Sequence, residues 1–400
     1  MRILYITNGF PYPLTSGYLR HYHFIRELSA AGHEITLLSL AGPGHGPEDV
    51  DAMRRLTHQV HVFRTRRGGS LPRRVARRLR RAAGVDPAVR AMARTARETR
   101  VAARLDVAVS SGKQTLAVLD ELGGVPLVVD VTDATSIRLS GAARHADPVR
   151  RLRLVAEARA MRRIEASLLA RADELVFASR RDCEALLAGR RPVHGAATVI
   201  PNGVDLDYWR RATDRLGDST VVFTGGMHYP PNTDAALTLI RSIMPIVWQE
   251  RPDARLLVVG RDPTPELVAA GGADARVLVT GFVDDVRPFL EQATVFAAPL
   301  RFGAGIQNKL LEAMAFELPV VASTVAADGL RVDPATPLPI TVADEPVPFA
   351  QHLVAELDAA RADASPRAEV RAYVATHFDW TTSGRHLDEV IRRAAAAGSA

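Results

Sequence analysis

The stretch that decides the fold runs from Phe302 to Ser323 and reads FGAGIQNKLLEAMAFELPVVAS. A glycine-bearing loop leads directly into a predicted helix over residues 308–317, and Pro319 then precedes a short apolar strand, Val320 to Ala322. A loop that opens onto a helix N-terminus binds anions well, because backbone N–H groups and the positive end of the helix dipole point outward. The stretch therefore predicts a phosphate site at the start of this helix.

Two charged residues on that helix refine the prediction. Lys309 and Glu312 are three positions apart, so they share a helix face. An ammonium group neutralises a phosphate, and a carboxylate accepts two hydrogen bonds from a ribose diol. Together they predict a nucleoside diphosphate site, whose backbone donors come from Gly305, Ile306, Gln307 and Asn308. The structural alternatives are an ordinary helix start and a Glu312 carboxylate paired with a neighbouring residue.

The bulk composition predicts a two-domain globular protein. Four hundred residues exceed what one hydrophobic core usually serves. Apolar content of 47% and charged content of 24% are ordinary for a globular chain. The one cysteine, Cys183, excludes a disulfide framework within the chain and favours a cytoplasmic setting. The opening MRILYITNGFPYP is typical of a strand and turn rather than a signal peptide, and no run approaches the ~20 apolar residues of a membrane helix.

Basic residues are unevenly distributed. Lysine occurs only at Lys113 and Lys309, and the other 49 of the 51 basic residues are arginine. From Arg64 to Arg104 there are fourteen arginines against two acidic residues. Such a segment is either a solvated basic face or a peripheral contact with an anionic membrane, here the inner face of the cell membrane. Nucleic acid is not expected as a partner, because no aromatic residues are interleaved with the charge.

Strands and helices alternate along the whole chain, which predicts an α/β fold with two doubly wound, Rossmann-like domains. The division is expected near residue 200, giving an N-terminal domain over 1–200 and a C-terminal domain over 201–377. An amphipathic C-terminal helix, about 378–396, carries Leu387, Val390 and Ile391 on one side and is expected to pack back on the N-terminal domain. Ligands of such sheets bind at the carboxyl ends of the strands, so the cleft between the domains is the expected site.

Several segments resemble one enzyme family. They are VIPNGVDLDYW at 199–209, VVFTGGMHYPPNTDA at 221–235, and the run from Val277 to Ser323. These segments resemble the GT-B glycosyltransferases of the retaining family four, group one, and are similar to bacterial sugar transferases associated with exopolysaccharide assembly. The resemblance implies two domains facing each other across a cleft, with an N-terminal domain for the acceptor and a C-terminal domain for a nucleotide-sugar donor. It also implies metal-independent, retaining hexosyl transfer in glycan or natural-product biosynthesis, with no cofactor.

The resemblance adds donor-binding residues outside the decisive stretch. Gly17 lies in the loop after the first strand, where a small residue lets the backbone approach the donor phosphate. Gly225 opens the donor domain, and Arg261 ends a strand at the edge where ligands bind. An ion pair of Arg261 with Asp262 or another surface acid is the alternative there. Val283 matches a position whose backbone groups meet the nucleobase.

Two departures from the family pattern stand out. The family carries two glutamates separated by seven residues, and here Glu312 is the second while Ala304 occupies the first position. The segment GGMHYPPN lacks the Arg and Lys that neutralise the diphosphate in relatives, so Lys309 and Arg261 are expected to supply that charge. A nucleotide-sugar epimerase and an inactive binding protein on the same fold are the alternative functions.

Two aspartates complete the predicted catalytic set with Lys309. Asp130 and Asp133 follow a strand of the first domain and are expected to face the cleft, where they would orient the acceptor hydroxyl or the donor sugar. Capping the next helix or forming a turn is the alternative for either residue. No general base is named, because in the retaining mechanism that the resemblance implies the leaving phosphate oxygen accepts the acceptor proton. The twelve histidines lack ligand spacing, so no metal site is expected.

Overall fold

The computed structural model describes residues 1–14, 18–65, 86–188, 192 and 194–398. The chain separates into two units by its internal contacts. Unit 1 comprises Met1–Ser136, Ala156–Asn202 and Trp380–Ala400, and unit 2 comprises Ile137–Val155 and Gly203–Asp379.

The sheet of unit 1 is parallel throughout its described strands. Its strand order is β3-β2-β1-β4-β5-β6-β7. The central strands β4 and β5 are buried on both faces, as expected for a parallel sheet covered by helices. The strands are β1 Arg2–Thr7, β2 Glu34–Ala41, β3 Gln59–Arg64, β4 Val107–Ser111, β5 Leu127–Val131, β6 Glu174–Phe177 and β7 Ala197–Val199.

The described helices of the first half of the chain connect these strands. A short 3₁₀ turn, Lys113–Thr115, follows β4 directly. The helices are α1 Leu19–Ala30, α2 Pro47–Arg54, α3 Pro87–Ala102, α4 Leu116–Leu119, α5 Thr135–Arg144, α6 Pro148–Arg171 and α7 Arg180–Leu187.

The sheet of unit 2 is also parallel, with strand order β10-β9-β8-β11-β12-β13. Its interior strands are buried. The strands are β8 Thr220–Thr224, β9 Arg255–Val259, β10 Val277–Val279, β11 Val295–Ala298, β12 Val320–Ala322 and β13 Thr341–Val342.

The described helices of unit 2 are accompanied by two irregular segments. A π-helical segment, Leu239–Ile243, lies between α8 and α9, and a 3₁₀ turn, Asp328–Leu330, follows α13. The helices are α8 Pro230–Thr238, α9 Met244–Glu250, α10 Pro265–Gly271, α11 Arg287–Glu291, α12 Asn308–Ala315, α13 Thr324–Ala327, α14 Pro346–Ala362 and α15 Ala368–His377.

Both sheets have the doubly wound strand order, in which the direction of winding reverses once. The reversal lies between β1 and β4 in unit 1 and between β8 and β11 in unit 2. Ligands of open parallel sheets bind beyond the carboxyl ends of the strands at this switch point. The predicted α/β fold class with two Rossmann-like units is confirmed, and each unit has one topological switch point as its default ligand position.

The helical region from Pro230 to Glu250 is irregular just before Pro245. A proline inside an α-helix has no N–H to donate and its ring clashes with the preceding turn. A π-helical segment precedes Pro245, which lies in the first turn of α9. A proline is well tolerated at that position.

The last helix, α16, spans Trp380–Ala397 and groups with unit 1. Its side chains Leu387, Val390 and Ile391 are fully buried in one cluster with residues of β1, α1 and β2. The helix approaches α1 so closely that a Cβ on Gly384 would overlap the side chain of Glu27.

Residues 137–155 group with unit 2, whereas the sequence placed all of 1–200 in the N-terminal domain.

Much of the basic segment expected at Arg64–Arg104 lies outside the described residues, which omit 66–85. Its described C-terminal part forms α3, where Arg90, Arg94 and Arg97 are exposed. No helix within the described ranges is both long enough and apolar enough to cross a membrane.

A buried ion pair holds the centre of unit 1 together. The guanidinium of Arg20 on α1 donates to both carboxylate oxygens of Asp130 at 2.9–3.1 Å. It also donates to the carbonyl of Ile200 at 2.8 Å and to Asn202 at 3.0 Å. The side chains of Arg20 and Asp130 are 4% and 0% exposed. The pair therefore connects α1, β5 and the segment that follows β7.

This pairing corrects the expectation for Asp130. The residue is the next to last of β5, and its carboxylate is buried and occupied by Arg20. His21 lies beside it, and burial lowers the pKa of His21 to about 4, so the imidazole is neutral at pH 7. A carboxylate held this way has a structural role rather than the predicted catalytic one.

Asp130→Ala is expected to lower the free energy of unfolding by about 3–5 kcal/mol, because the guanidinium of Arg20 would stay buried without its partner. Urea denaturation followed by circular dichroism measures the change. The control is Glu34→Ala, which breaks the exposed pair of Arg2 and Glu34 at 3.4 Å and should cost less than about 1 kcal/mol. Equal losses in the two variants would contradict the structural role of Asp130.

Candidate functional site

The candidate site lies at the topological switch point of unit 2. Gly225 directly follows β8, and the loop after β11 leads into α12, which carries Lys309 and Glu312. The strands β8 and β11 are neighbours in the sheet, so their carboxyl ends lie side by side. The structure therefore brings the predicted residues Gly225 and Lys309 to the position where parallel sheets bind ligands.

The ammonium of Lys309 is held by neutral groups. Its Nζ donates to Oδ1 of Asn232, whose Nδ2 donates in turn to the carbonyl of Gly226 at 3.1 Å. The same Nζ lies 4.9 Å from the ring centre of Phe223, a cation–π arrangement. Asn232 was not predicted from the sequence. Asn232 and Lys309 are far apart in the sequence, so no local sequence pattern links them. Only the fold brings the two side chains together.

Two glycines shape the floor of this site. Gly225 has φ +151°, and a Cβ there would lie 2.6 Å from Asn232 Nδ2 and 3.4 Å from Lys309 Nζ. Gly260, which follows β9, has φ +148°, and a Cβ there would overlap the carbonyl oxygen of Gly225. Both backbone angles favour glycine. The absence of side chains at these positions leaves the ammonium of Lys309 room on its open side.

The charges of Lys309 and Glu312 are both weakened by burial. Loss of hydration lowers the pKa of Lys309 to about 7, although the Glu312 carboxylate raises it. The same loss of hydration raises the pKa of Glu312 to about 7, and here the nearby ammonium lowers it. Each group therefore changes its charge close to neutral pH, which is common at functional sites.

The loop before α12 is firmly supported. Gly305 has φ +68°, a left-handed conformation that favours glycine. Gln307 is buried and donates from Nε2 to the carbonyl of Ala304 at 3.3 Å. A Cβ on Gly329 would lie 2.7 Å from the carbonyl oxygen of Gly305 and 3.3 Å from Ile306 Cα, so the 3₁₀ turn packs directly beneath the loop. Asn308 is the first residue of the helix.

Ala304 is 7% exposed and lies inside this supported loop. Its methyl group offers no polar contact to a ligand. The position at which the family pattern places its first glutamate is therefore apolar in this structure.

Arg261 is exposed and follows β9, next to the site. Its Nε lies 4.0 Å from the position that a Cβ on Gly226 would occupy. The alternative ion pair with Asp262 is not what the structure contains, because the Asp262 carboxylate lies 3.4 Å from His228 Nδ1. Arg261 therefore remains a candidate phosphate ligand at the rim.

Val283 lies farther along the same edge. It follows β10, two strands away from β8 in the sheet, and its side chain packs partly against the core of unit 2. Strands are spaced by about 4.8 Å, so this places the loop of Val283 roughly 10 Å from the switch point. That separation suits the length of a nucleoside diphosphate, and the nucleobase role of Val283 stays a prediction.

Asp133 in unit 1 belongs to a polar cluster that the sequence did not predict. Lys113 Nζ donates to the carbonyl of Asp133 at 2.6 Å and to its carboxylate at 2.7 Å. Thr135 donates to the same carboxylate at 3.0 Å, and Glu165 Oε1 lies 3.6 Å from Lys113. The Asp133 side chain is 33% exposed, so it reaches the surface while Lys113 fixes its position. Glu165 comes from α6, far along the chain, which explains why no local pattern indicated it.

Gly17 lies outside the described residues, so its predicted contact with the donor phosphate stays a prediction. Among the described residues, no group of three or more His, Cys, Asp or Glu side chains is arranged to hold a metal ion.

Two protein-family models match consecutive parts of the chain. The model for glycosyltransferase family 4 matches residues 21–208, and the model for glycosyl transferases group 1 matches residues 218–358.

Curated relatives match over part of their length. The phosphatidyl-myo-inositol mannosyltransferase of Mycobacterium tuberculosis is 30% identical over an alignment of 221 residues that covers 51% of this chain and 56% of the relative. A GDP-mannose-dependent monoacylated alpha-(1-6)-phosphatidylinositol monomannoside mannosyltransferase of Corynebacterium glutamicum is 29% identical over an alignment of 219 residues that covers 50% of this chain and 57% of that protein. The chain thus spans about half the length of the curated relatives it matches.

Solved structures match over nearly the full chain. The sucrose-phosphate synthase of Thermosynechococcus elongatus has a TM-score of 0.71 and 18% identity, covering 99% of this chain and 100% of that one. HepE of Anabaena in complex with UDP and glucose has a TM-score of 0.69 and 16% identity, covering 98% of this chain and 100% of that one. Both solved structures are similar to this chain in fold. With glycosyltransferase models matching each half, the chain belongs to the GT-B glycosyltransferases.

The side chain of Lys309 is expected to lose its proton with a midpoint near pH 7, because burial disfavours the charged form. Nuclear magnetic resonance of protein with isotope-labelled lysine measures this directly, since the chain holds two lysines. The variant Lys113→Arg removes one signal and assigns the other. Glu312→Gln should shift the midpoint lower still, because it removes the charge that raises the Lys309 pKa. A midpoint at the ordinary value of lysine would contradict the buried environment.

Proposed function

We propose that this chain transfers a sugar from a nucleoside-diphosphate sugar to a hydroxyl group of an acceptor. The observation that carries the proposal is the Lys309 ammonium, held by Asn232 at the switch point of unit 2, with Glu312 on the same face of α12. The named activities of the curated relatives are sugar transfers, and HepE was solved with UDP and glucose. These names support a nucleotide-sugar donor for this chain as well.

Each donor contact follows from the chemistry of the site. The diphosphate lies against Lys309, the backbone of the loop at Gly305 and Ile306, and Arg261 at the rim. Glu312 accepts hydrogen bonds from the two ribose hydroxyls, since an ionised carboxylate has two oxygens and several lone pairs. The missing side chain at Gly225 leaves space beside Lys309 in which the phosphates approach closely.

In the proposed reaction the bond between the anomeric carbon and the phosphate oxygen breaks. The acceptor oxygen forms the new bond to that carbon, and its proton moves to the leaving phosphate oxygen. Configuration is retained because the acceptor enters on the face that the phosphate leaves. Lys309 stabilises the negative charge that grows on the diphosphate, and such preorganised stabilisation is usually the largest catalytic contribution. The donor phosphate itself takes up the proton, so we propose no separate base and no metal.

Asp133 is proposed to orient the acceptor hydroxyl. Its carboxylate reaches the surface of unit 1 while Lys113 and Thr135 hold it in place. Asp130 has no part in this role, because its carboxylate is occupied by Arg20.

Binding of UDP-, GDP- and dTDP-sugars, measured by thermal stabilisation in the presence of EDTA, tests the proposal. A ligand at 100 times its dissociation constant stabilises the folded protein by about 2.7 kcal/mol.

Glu312→Ala is expected to weaken donor binding by about 1.5–3 kcal/mol, the scale of hydrogen bonds to a charged group. Lys309→Ala should lower turnover more than it lowers donor affinity, because its charge acts mainly on the leaving group.

The matched control for these variants is Glu250→Ala, an exposed helical glutamate of the same unit, which should bind donors as the wild type does. The proposed function fails if no nucleotide sugar stabilises the protein. Unchanged affinity in folded Glu312→Ala would remove that residue from the ribose site, and loss of activity in EDTA would overturn metal independence.

Donor affinity is expected to be highest near pH 7. Above this pH Lys309 loses its proton and no longer neutralises the diphosphate, and below it Glu312 gains a proton and loses an acceptor oxygen. Isothermal titration calorimetry between about pH 5.5 and 8.5 measures both limbs around the two pKa values. In Glu312→Gln the acidic limb should disappear. An affinity that stays constant over this range would contradict the assigned roles.

A further inference from the structure

A small cavity lies inside unit 1, beside the carboxyl ends of the neighbouring strands β4 and β5. Its lining includes residues of β4 and the turn after it, of β5 and of α6, all of them in unit 1: Ser110, Lys113, Val129, Val131, Glu165 and Leu168. The cavity has a volume of about 20 Å³. Because roughly 10–15 Å³ is enough for one water molecule, the cavity has room for one small polar group.

Two oxygen atoms of the residues that line this cavity lack hydrogen-bond partners. Within the part of the chain that the structure describes, neither Ser110 Oγ nor Glu165 Oε2 has one. The two residues are 0% and 2% exposed, so bulk solvent does not compensate them. Buried polar atoms without a partner are rare in proteins, and each costs free energy until a ligand or an ordered water satisfies it. The cavity is therefore a place where a small polar group is stabilised.

The other carboxylate oxygen of Glu165 is already engaged. Oε1 accepts a hydrogen bond from the backbone N–H of Ser136 at 3.1 Å, and it lies 3.6 Å from Lys113 Nζ. These contacts fix the carboxylate through one of its two oxygens. They leave Oε2 as the hydrogen-bond acceptor that Glu165 offers to a ligand.

A single hydroxyl group satisfies both unpartnered oxygens. An ionised carboxylate only accepts hydrogen bonds, whereas a serine hydroxyl both donates and accepts. A ligand hydroxyl therefore donates its proton to Glu165 Oε2 and accepts the proton of Ser110 Oγ. An anionic group would be repelled by the carboxylate, and an ammonium group would lie close to that of Lys113. The site thus fits a neutral hydroxyl better than a charged group.

The cavity is connected to the residue that orients the acceptor in the proposed function. Lys113 lines the cavity and donates to the Asp133 carboxylate at 2.7 Å. The same ammonium lies 3.6 Å from Glu165, so one cation contacts both carboxylates. This spacing is one that two hydroxyl groups of a single ring are able to span.

We propose that this cavity is an acceptor subsite, which takes a second hydroxyl of a polyhydroxylated ring whose reacting hydroxyl lies at Asp133. The inference rests on the proposed function, in which Asp133 orients the acceptor. It assigns the acceptor to the sugars and other cyclic polyols rather than to alcohols with a single hydroxyl. An ordered water would also satisfy the two oxygens, but it would create no preference among acceptors.

Transfer from whichever nucleotide sugar stabilises the wild type, with products measured by mass spectrometry, tests the proposal. The acceptors are the methyl glycosides of glucose, galactose and mannose, analogues of each that lack one hydroxyl other than the reacting one, and cyclohexanol. The wild type should use at least one glycoside. It should disfavour cyclohexanol and one deoxy analogue of that glycoside at least about tenfold in kcat/KM, because they leave the buried oxygens unpaired.

Two variants remove the hydrogen bonds of the cavity separately. Ser110→Ala should lower kcat/KM for the glycoside about three- to tenfold, and Glu165→Gln at least about tenfold, since the second bond involves a charged group. In Glu165→Gln the amide oxygen keeps the contact with Ser136, and a donor NH₂ group replaces the acceptor. Neither variant should change kcat/KM for the deoxy analogue, so the discrimination between the two acceptors shrinks.

The matched control is Ser111→Ala, the same substitution one residue farther along β4. The hydroxyl of Ser111 is partnered, because it donates to the carbonyl of Asp130 at 3.2 Å. Neighbouring residues of a strand point to opposite faces of the sheet, so this variant should keep the wild-type discrimination. Circular dichroism confirms that each variant folds.

Three results would overturn the subsite. The first is a wild type that binds a donor but uses none of the glycosides, and the second is equal transfer to cyclohexanol and to the glycosides. The third is a loss in Ser110→Ala and Glu165→Gln that is the same for the glycoside and its deoxy analogue, which would make both residues merely structural. Donor stabilisation separates these results from a failure of the proposed function, because the proposed donor contacts belong to unit 2.

Discussion

The site in unit 2 depends on one constraint, the placement of an ammonium group among neutral partners. Lys309 donates to the amide oxygen of Asn232 and lies over the ring of Phe223, and burial lowers the pKa of its ammonium group. A cation that has lost part of its hydration without gaining a directly bonded anion is poorly compensated. An anionic ligand that reaches Lys309 supplies that compensation, so binding of the ligand and charging of the lysine favour each other.

The surrounding backbone is arranged around this cation. Gly225 and Gly260 let two strand ends lie close together, because side chains there would strike Asn232 or the neighbouring carbonyl. On the other side, the turn at Gly329 supports the loop that leads into α12. Rigid support of this kind keeps a charged group where charge develops during a reaction, with little reorganisation at that moment. The positions that look featureless in the sequence are therefore as much part of the site as Lys309.

The sequence predicted the strands well and the side-chain partners poorly, for a physical reason. Buried parallel strands are continuous apolar runs, so β12 was located to the residue, from Val320 to Ala322. Asp130 lies near the end of β5 and Asp133 follows the same strand, so the two look alike in the sequence. Their environments differ because Arg20 arrives at one from α1 and Lys113 arrives at the other from the turn after β4. Contacts between residues so distant in the chain form only in the assembled fold, so a local sequence pattern does not predict them. No helix was predicted at α14 or α15, although the buried side chains of α14, Phe349, Leu353 and Leu357, recur at helical spacing.

The position of α16 has a consequence for how the protein is made. The core of unit 1 includes Trp380, Leu387 and Ile391, so that unit lacks part of its interior until the final helix has been synthesised. Between the rest of unit 1 and this helix the ribosome must produce residues 203–379. At about 5–20 residues per second this takes roughly ten to thirty-five seconds. During that interval the apolar side of α1 is uncovered, so nascent unit 1 is a natural client for chaperones, and unit 2 can complete its own core before the N-terminal unit does.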